Sequence, residues 1–227
     1  MLCAIPMRRG ALMVTVYGFS RVNSFARGKT RDLRVLWALE EMGVPYRVEG
    51  MDHPAHDLNT DAYRRLSPFE QIPAIEDDGV VVSESGAIVL YLARKTGKLI
   101  PPDEAGRAQV VRWCFAALNT VELPILYVDL LSFAEGDATA LAKHREWLMQ
   151  WVHLRLGGLE RWLAEREYIA TDGFTVADIL MSLVLSELDD AKLYEPYPRV
   201  RAYRDRCKSR PAWKRTIDAY CEFVEAA

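Results

Sequence analysis

No stretch of this 227-residue chain runs apolar for the ~18 residues that a bilayer-spanning helix needs. Its four cysteines, Cys3, Cys114, Cys207 and Cys221, make no CxxC pair and no zinc spacing. A chain of this size does not need disulfide staples, so reduced thiols in a cytoplasmic protein are the expectation. Neither sign of charge dominates: a net charge of −3 with both signs mixed removes the footprint of a nucleic-acid or anionic-membrane partner. His53, His56, His144 and His153 lack the arrangement of a metal site or a catalytic triad, so no metal is expected. Residues 1–12 hold two arginines but no apolar core of signal-peptide length. They are read as an N-terminal extension without assigned function. What is present is ordinary for a globular chain: 50% hydrophobic and 27% charged residues, enough for one large domain or two small ones.

Two halves differ in pattern. Residues 14–19 are β-branched and aromatic and read as a strand, followed by a Ser-, Asn-, Arg- and Gly-rich loop from Ser20 to Thr30. Helical spacing of apolar positions follows over 32–42, stopped by Gly43 and Pro45. A second strand spans 46–51, and a polar loop over 52–66 carries a short helix near 62–66. Residues 72–76 and 80–82 flank Asp77-Asp78-Gly79 as an antiparallel hairpin, and a helix runs over 85–95. This order, βαβ-α-ββα, predicts a small mixed sheet with helices on it over 13–96. After a linker at 97–104, marked by Gly97 and Pro101-Pro102, no convincing strand appears. Helical patterns over 105–132, 138–166, 175–189, 198–208 and 211–225 predict an all-helical domain over 105–227. Within it, Thr175-Val176-Ala177-Asp178 has the form of a capping box, and Pro198 and Pro211 read as helix starts.

The stretch with most chemistry in it is Ser67-Pro68-Phe69-Glu70-Gln71-Ile72-Pro73-Ala74-Ile75, followed by Ser83-Glu84-Ser85-Gly86. Pro73 cannot donate to a ladder, so it belongs at a strand start or edge, where a cis bond is possible. That leaves the backbone of Ile72 open to pair with an extended ligand as an added strand. Glu84 and Ser85 open a helix whose first N–H groups form a carboxylate site. Together these parts suit a small peptide bearing a carboxylate. Taken separately, Pro73 also fits an ordinary edge-strand proline, and Ser85 a plain helix cap.

From Val14 to about Tyr220 the chain resembles the cytosolic glutathione transferases, with a bacterial-type character. Residues 67–75 look like that family's Asn-Pro-x-Gly-x-Val/Ile-Pro-x-Leu element, and 83–85 like its Glu/Gln-Ser pair. Residues 174–179 are similar to its Phe-Ser/Thr-x-Ala-Asp element, and 198–213 to its Pro … Arg-Pro-Ala ending. The resemblance implies a thioredoxin-like domain followed by an all-helical one. It also implies glutathione as cosubstrate rather than any bound cofactor, and a homodimer. On this basis Ile72 pairs with the cysteinyl part of glutathione, Pro73 is the cis-proline, and Glu84 and Ser85 take the γ-glutamyl end. Gln71 lies near the glycyl arm.

The chemistry needs a thiolate, and free thiols titrate near pKa ~8.5, so the protein must favour S⁻. Candidates for this are Tyr17, Ser20 and Ser24, with Asn23, Thr30 and backbone N–H groups also open. The segment Arg27-Gly28-Lys29 … Leu33-Arg34 is similar to that of tyrosine-type members, but its spacing from Tyr17 is several residues longer. No cysteine is available in this loop. Trp113, Phe115, Asn119 and Tyr127 lie on the helix that would face the second substrate, none committed as a contact. The expected activity is conjugation of glutathione to a small hydrophobic electrophile. The alternatives are a glutathione-dependent peroxidase, isomerase or dehalogenase, or a non-catalytic binding module of the same fold.

Overall fold

The structure, a computed structural model, describes residues 13–187 and 191–226. Cys3 and the 1–12 extension lie outside the described residues. Two compact units emerge: one from residues up to 98 together with those from 210 onward, the other from 99–209.

The first unit is built on a mixed sheet of order β2-β1-β3-β4. It comprises β1 (Val14–Val22), α1 (Asp32–Met42), β2 (Tyr46–Asp52), α2 (Asp61–Arg64), β3 (Ala74–Asp77), β4 (Val80–Ser83) and α3 (Ser85–Thr96). β1 runs parallel to β2 and antiparallel to β3, with Tyr17 opposite Ala74 and Thr15 opposite Glu76. Apolar residues of α1 (Leu33, Val35, Leu36, Leu39) and of α3 (Ile88, Val89, Leu92) are buried on it. Gly43 ends α1 in the left-handed conformation, φ 63°, its N–H turned back to the carbonyls of Leu39 and Glu40.

Two differences from the sequence reading change the site. β1 does not stop at Phe19 but continues to Val22, so Ser20 stands on a strand and the loop begins at Asn23. The continuation is held by β2 and by a strand not anticipated from sequence, β5 (Glu225–Ala226), after the last helix. Arg21 pairs with Glu225 and Val22 with Ala226, both parallel. Two residues carry too little pattern to reveal a strand whose partner lies two hundred residues away.

The second unit holds α4 (Glu104–Phe115), α5 (Glu122–Leu130), α6 (Ala138–Trp162), α7 (Val176–Val184) and α8 (Pro198–Lys208). A π-helical turn over Ala116–Val121 divides the run expected as one helix over 105–132. The continuous helical run Glu104–Phe133 is, contrary to the sequence reading, long and apolar enough by composition to cross a membrane. Its buried stripe (Val110, Trp113, Cys114, Ala117, Val121, Ile125, Val128) packs instead within this unit, against α6 and α7. The Thr175–Asp178 capping box forms at α7. The Asp178 carboxylate also accepts from Ile169 N–H at 2.8 Å and Tyr203 Oη at 2.9 Å, so a buried acid is fully hydrogen-bonded.

The last helix, α9 (Pro211–Phe223), packs on α1 in the first unit rather than with the helical one. Trp213 meets Trp37 with ring centroids 4.9 Å apart, and Arg210 forms a two-pronged pair with the Glu41 carboxylate at 2.6 and 2.9 Å.

Candidate functional site

Register converges several chemical groups on one end of the sheet. The Ile72–Pro73 bond is cis. The β1–β3 ladder starts at Ala74, so Ile72 lies outside it and the ladder leaves its backbone groups unused. The preceding segment is fixed from behind: Gln71 N–H donates to Ser67 Oγ at 3.2 Å, and Tyr63 Oη donates to Gln71 O at 3.0 Å. Gln71's side chain is exposed. Ala74 also pairs with Ser83, which brings Glu84 and the start of α3 to this same end.

Glu84 holds φ 71°, ψ 115°, a conformation that costs a non-glycine residue about 1–3 kcal/mol and persists only where the surroundings impose it. It is exposed, and its side chain does not cap the helix. The α3 ladder begins with Ile88 N–H to Glu84 O at 2.9 Å, so Ser85, Gly86 and Ala87 N–H have no acceptor within the helix. Ser85 is buried, and its Oγ accepts from Arg34 Nη1 at 3.3 Å. Arg34, 2% exposed, thus places a buried cation beside the Ser85 hydroxyl at the start of α3.

The start of α1 belongs to this end as well. A Cβ on Gly18 would come within 3.0 Å of Asp32 Oδ2, and that oxygen accepts from Phe19 N–H at 2.9 Å. Asp32 is buried, and its carboxyl also accepts from Leu33 N–H and from the Thr30 hydroxyl. Burial pushes its pKa up against the pull of these bonds.

The thiol-activating candidates separate by face. Because Gly18 faces α1, its strand neighbours Tyr17 and Phe19 face the other side, where they pack on Leu58, Tyr63 and Ile72. Tyr17 Oη donates to Glu76 Oε2 at 2.6 Å, and burial followed by this bond pushes its pKa up to about 12. Ser20 is packed against Gly50, where a Cβ would meet Ser20 Cβ at 2.7 Å and Phe223 Cζ at 3.1 Å. Asn23 and Ser24 are exposed in a turn closed by Ala26 N–H to Asn23 O. Thr30, half-buried just before α1, bonds Tyr220 Oη at 2.6 Å.

Sequence reasoning did not single out Asp32, Arg34 or Tyr220 as functional. The available signal was a pair of charges, Asp32 and Arg34, in the first turn of the helix ahead of an apolar run, both of which prove buried. Of the residues considered for a second substrate, Trp113 is core and stacks on Trp162 at 5.1 Å, while Phe115, Asn119 and Tyr127 are exposed. Cys114, Cys207 and Cys221 carry no disulfide. Among the described residues no cluster of His, Cys, Asp or Glu is suited to a metal ion.

Two family models match the chain: "Glutathione S-transferase, N-terminal domain" over residues 33–95 and "Glutathione S-transferase, C-terminal domain" over 127–222. The chain is 30% identical to glutathione S-transferase 3 of Zea mays over 207 residues, covering 82% of this chain and 88% of that one. It is 27% identical to glutathione S-transferase 3 of Schizosaccharomyces pombe, covering 81% of each. Its fold is similar to that of a glutathione transferase from Burkholderia graminis solved with two glutathione molecules per subunit. There the TM-score is 0.79 and the identity 27%, covering 91% of this chain and 88% of that one.

Proposed function

The chain belongs to the glutathione S-transferase family, and from that premise we propose that it binds glutathione in its α/β unit and conjugates the thiolate to a small hydrophobic electrophile. The observation that carries this reading is the convergence of the open Ile72 backbone, the uncapped start of α3 and the start of α1 at one end of the sheet.

In this reading the cysteinyl backbone of glutathione extends the sheet along Ile72, held by cis-Pro73. The γ-glutamyl carboxylate takes the first N–H groups of α3 and the Ser85 hydroxyl, with Arg34 behind it. Glu84, exposed in its strained conformation, takes the ammonium, and Gln71 lies by the glycyl arm. The sulfur then points toward the start of α1. Tyr17 is a poor donor there: its proton is shared with Glu76 and its acidity is reduced. Ser20 is packed against Gly50, and Ser24 is in an exposed turn. Thr30 is the hydroxyl that this arrangement favours for holding the thiolate. The thiol proton leaves to solvent and the sulfur's electron pair forms a thioether bond to the electrophilic carbon. The leaving group departs with its bonding pair, or an addition product is protonated in its place. The protein contributes proximity and a stabilised anion.

Retention on immobilised glutathione with elution by free glutathione is the expected outcome, and failure to bind refutes the reading. A turnover screen over aryl halides, epoxides, enones, hydroperoxides and disulfides then identifies the electrophile. Turnover of hydroperoxides or disulfides alone would replace conjugation with redox chemistry at the same site.

A further inference from the structure

The C-terminal segment is bonded to the α1 loop more heavily than a helix merely covering a core would require. Arg27, in the turn of that loop, donates its Nε to Val224 O at 2.9 Å and a terminal nitrogen to Cys221 O. These carbonyls belong to the final turn of α9 and the residue after it, where backbone acceptors have no partner within the helix. The β5 strand then pairs with Arg21 and Val22, fixing the other end of the same loop. Between these two anchors Tyr220 Oη meets Thr30 Oγ at 2.6 Å. The Tyr220 oxygen also accepts from the N–H of Gly28, which holds φ 81°.

Counting protons gives the direction of this chain. The Thr30 hydroxyl has one proton and gives it to the Asp32 carboxyl, so at the 2.6 Å contact the Tyr220 hydroxyl donates and Thr30 Oγ accepts. Thr30 then accepts from Tyr220 and keeps a single proton for one acceptor. In this structure that acceptor is the Asp32 carboxyl. A hydroxyl that is both accepting and donating is polarised and becomes a stronger donor.

We infer that Tyr220 is a positioning residue for thiol activation: it orients and polarises the Thr30 hydroxyl, which turns its hydrogen bond from Asp32 to the glutathione thiolate when the tripeptide binds. The α9–β5 segment is therefore part of the activating machinery as well as the packing of the first unit. The inference rests on the function proposed above.

The test is a spectral titration of the bound thiolate, with calorimetry for glutathione affinity, on the full-length chain. The unmodified protein is expected to hold the thiol below its free value. Tyr220→Phe, which removes one oxygen, is expected to raise the apparent thiol pKa by about one unit, roughly tenfold less thiolate at a pH well below both values, with affinity within about twofold. Thr30→Val is expected to lose the lowering and Thr30→Ser to keep it. Adding Tyr220→Phe to Thr30→Val is expected to change nothing further, the mark of a residue acting through its neighbour. An unmoved thiol pKa in Tyr220→Phe, or shifts that add in the double variant, overturns this inference alone. Absence of glutathione binding by the unmodified chain overturns it together with the proposed function. If Tyr220→Phe does not fold, the Thr30 pair decides, and equal thiol pKa values in Thr30→Val and Thr30→Ser overturn it.

Discussion

Ser85 concentrates the binding argument in a few atoms: a buried hydroxyl at the start of α3, supported by Arg34 at 3.3 Å. A hydrogen bond to a charged group contributes about 1.5–3 kcal/mol. Ser85→Ala is therefore expected to weaken glutathione binding roughly 10- to 100-fold by calorimetry. A loss below about twofold would place the carboxylate elsewhere. At this scale the sequence was informative where local pattern and chemistry coincide. Pro73, Glu84 and Ser85 are legible because a proline at a strand start and a small polar residue opening a helix each have a local signature. Asp32, Arg34 and Tyr220 are not, because their roles depend on which side chains tertiary packing brings behind them. Ser20 and Tyr17 show the same limit. A candidate hydroxyl is visible in sequence, but whether Gly50 crowds it or Glu76 occupies it is not.

Among the elements, α9 has the widest consequences. Its pattern reads plainly as a helix beginning at Pro211, yet nothing local says that it packs on α1. The contact is made by Trp213 on Trp37, with Arg210 pairing Glu41, whose carboxylate also accepts from Trp37 Nε1 at 3.1 Å. Trp213→Ala is expected to cost about 3–5 kcal/mol, because it removes a large buried aromatic and leaves a cavity beside α1. Urea unfolding followed by far-ultraviolet dichroism measures this, and a change under about 1 kcal/mol would mean that α9 is not integral to the first unit. The strands of the first unit and their hairpin were legible because alternating apolar residues and Asp77-Asp78-Gly79 encode them. The π turn at Ala116–Val121 and the short β5 were not, since one inserted residue in a helix and two residues of strand leave no periodicity to read.

For the molecule as a whole, the chain leaves its first unit at residue 98, builds a helical unit, and returns at residue 210 to complete the first. A reading in sequence order divides the chain once, near 97–104, whereas the contacts divide it twice. The return has functional weight if Thr30 holds the thiolate, because it supplies Tyr220 and the anchors of the loop before α1. The central claim is that glutathione lies along Ile72 with its carboxylate at the start of α3. Amide hydrogen exchange of the intact chain with and without glutathione tests this most directly. Slowed exchange at Ile72 and at Ser85, Gly86 and Ala87, whose N–H groups have no acceptor within the helix, is the result expected. Glutathione binding that leaves those four amides unchanged would contradict the claim.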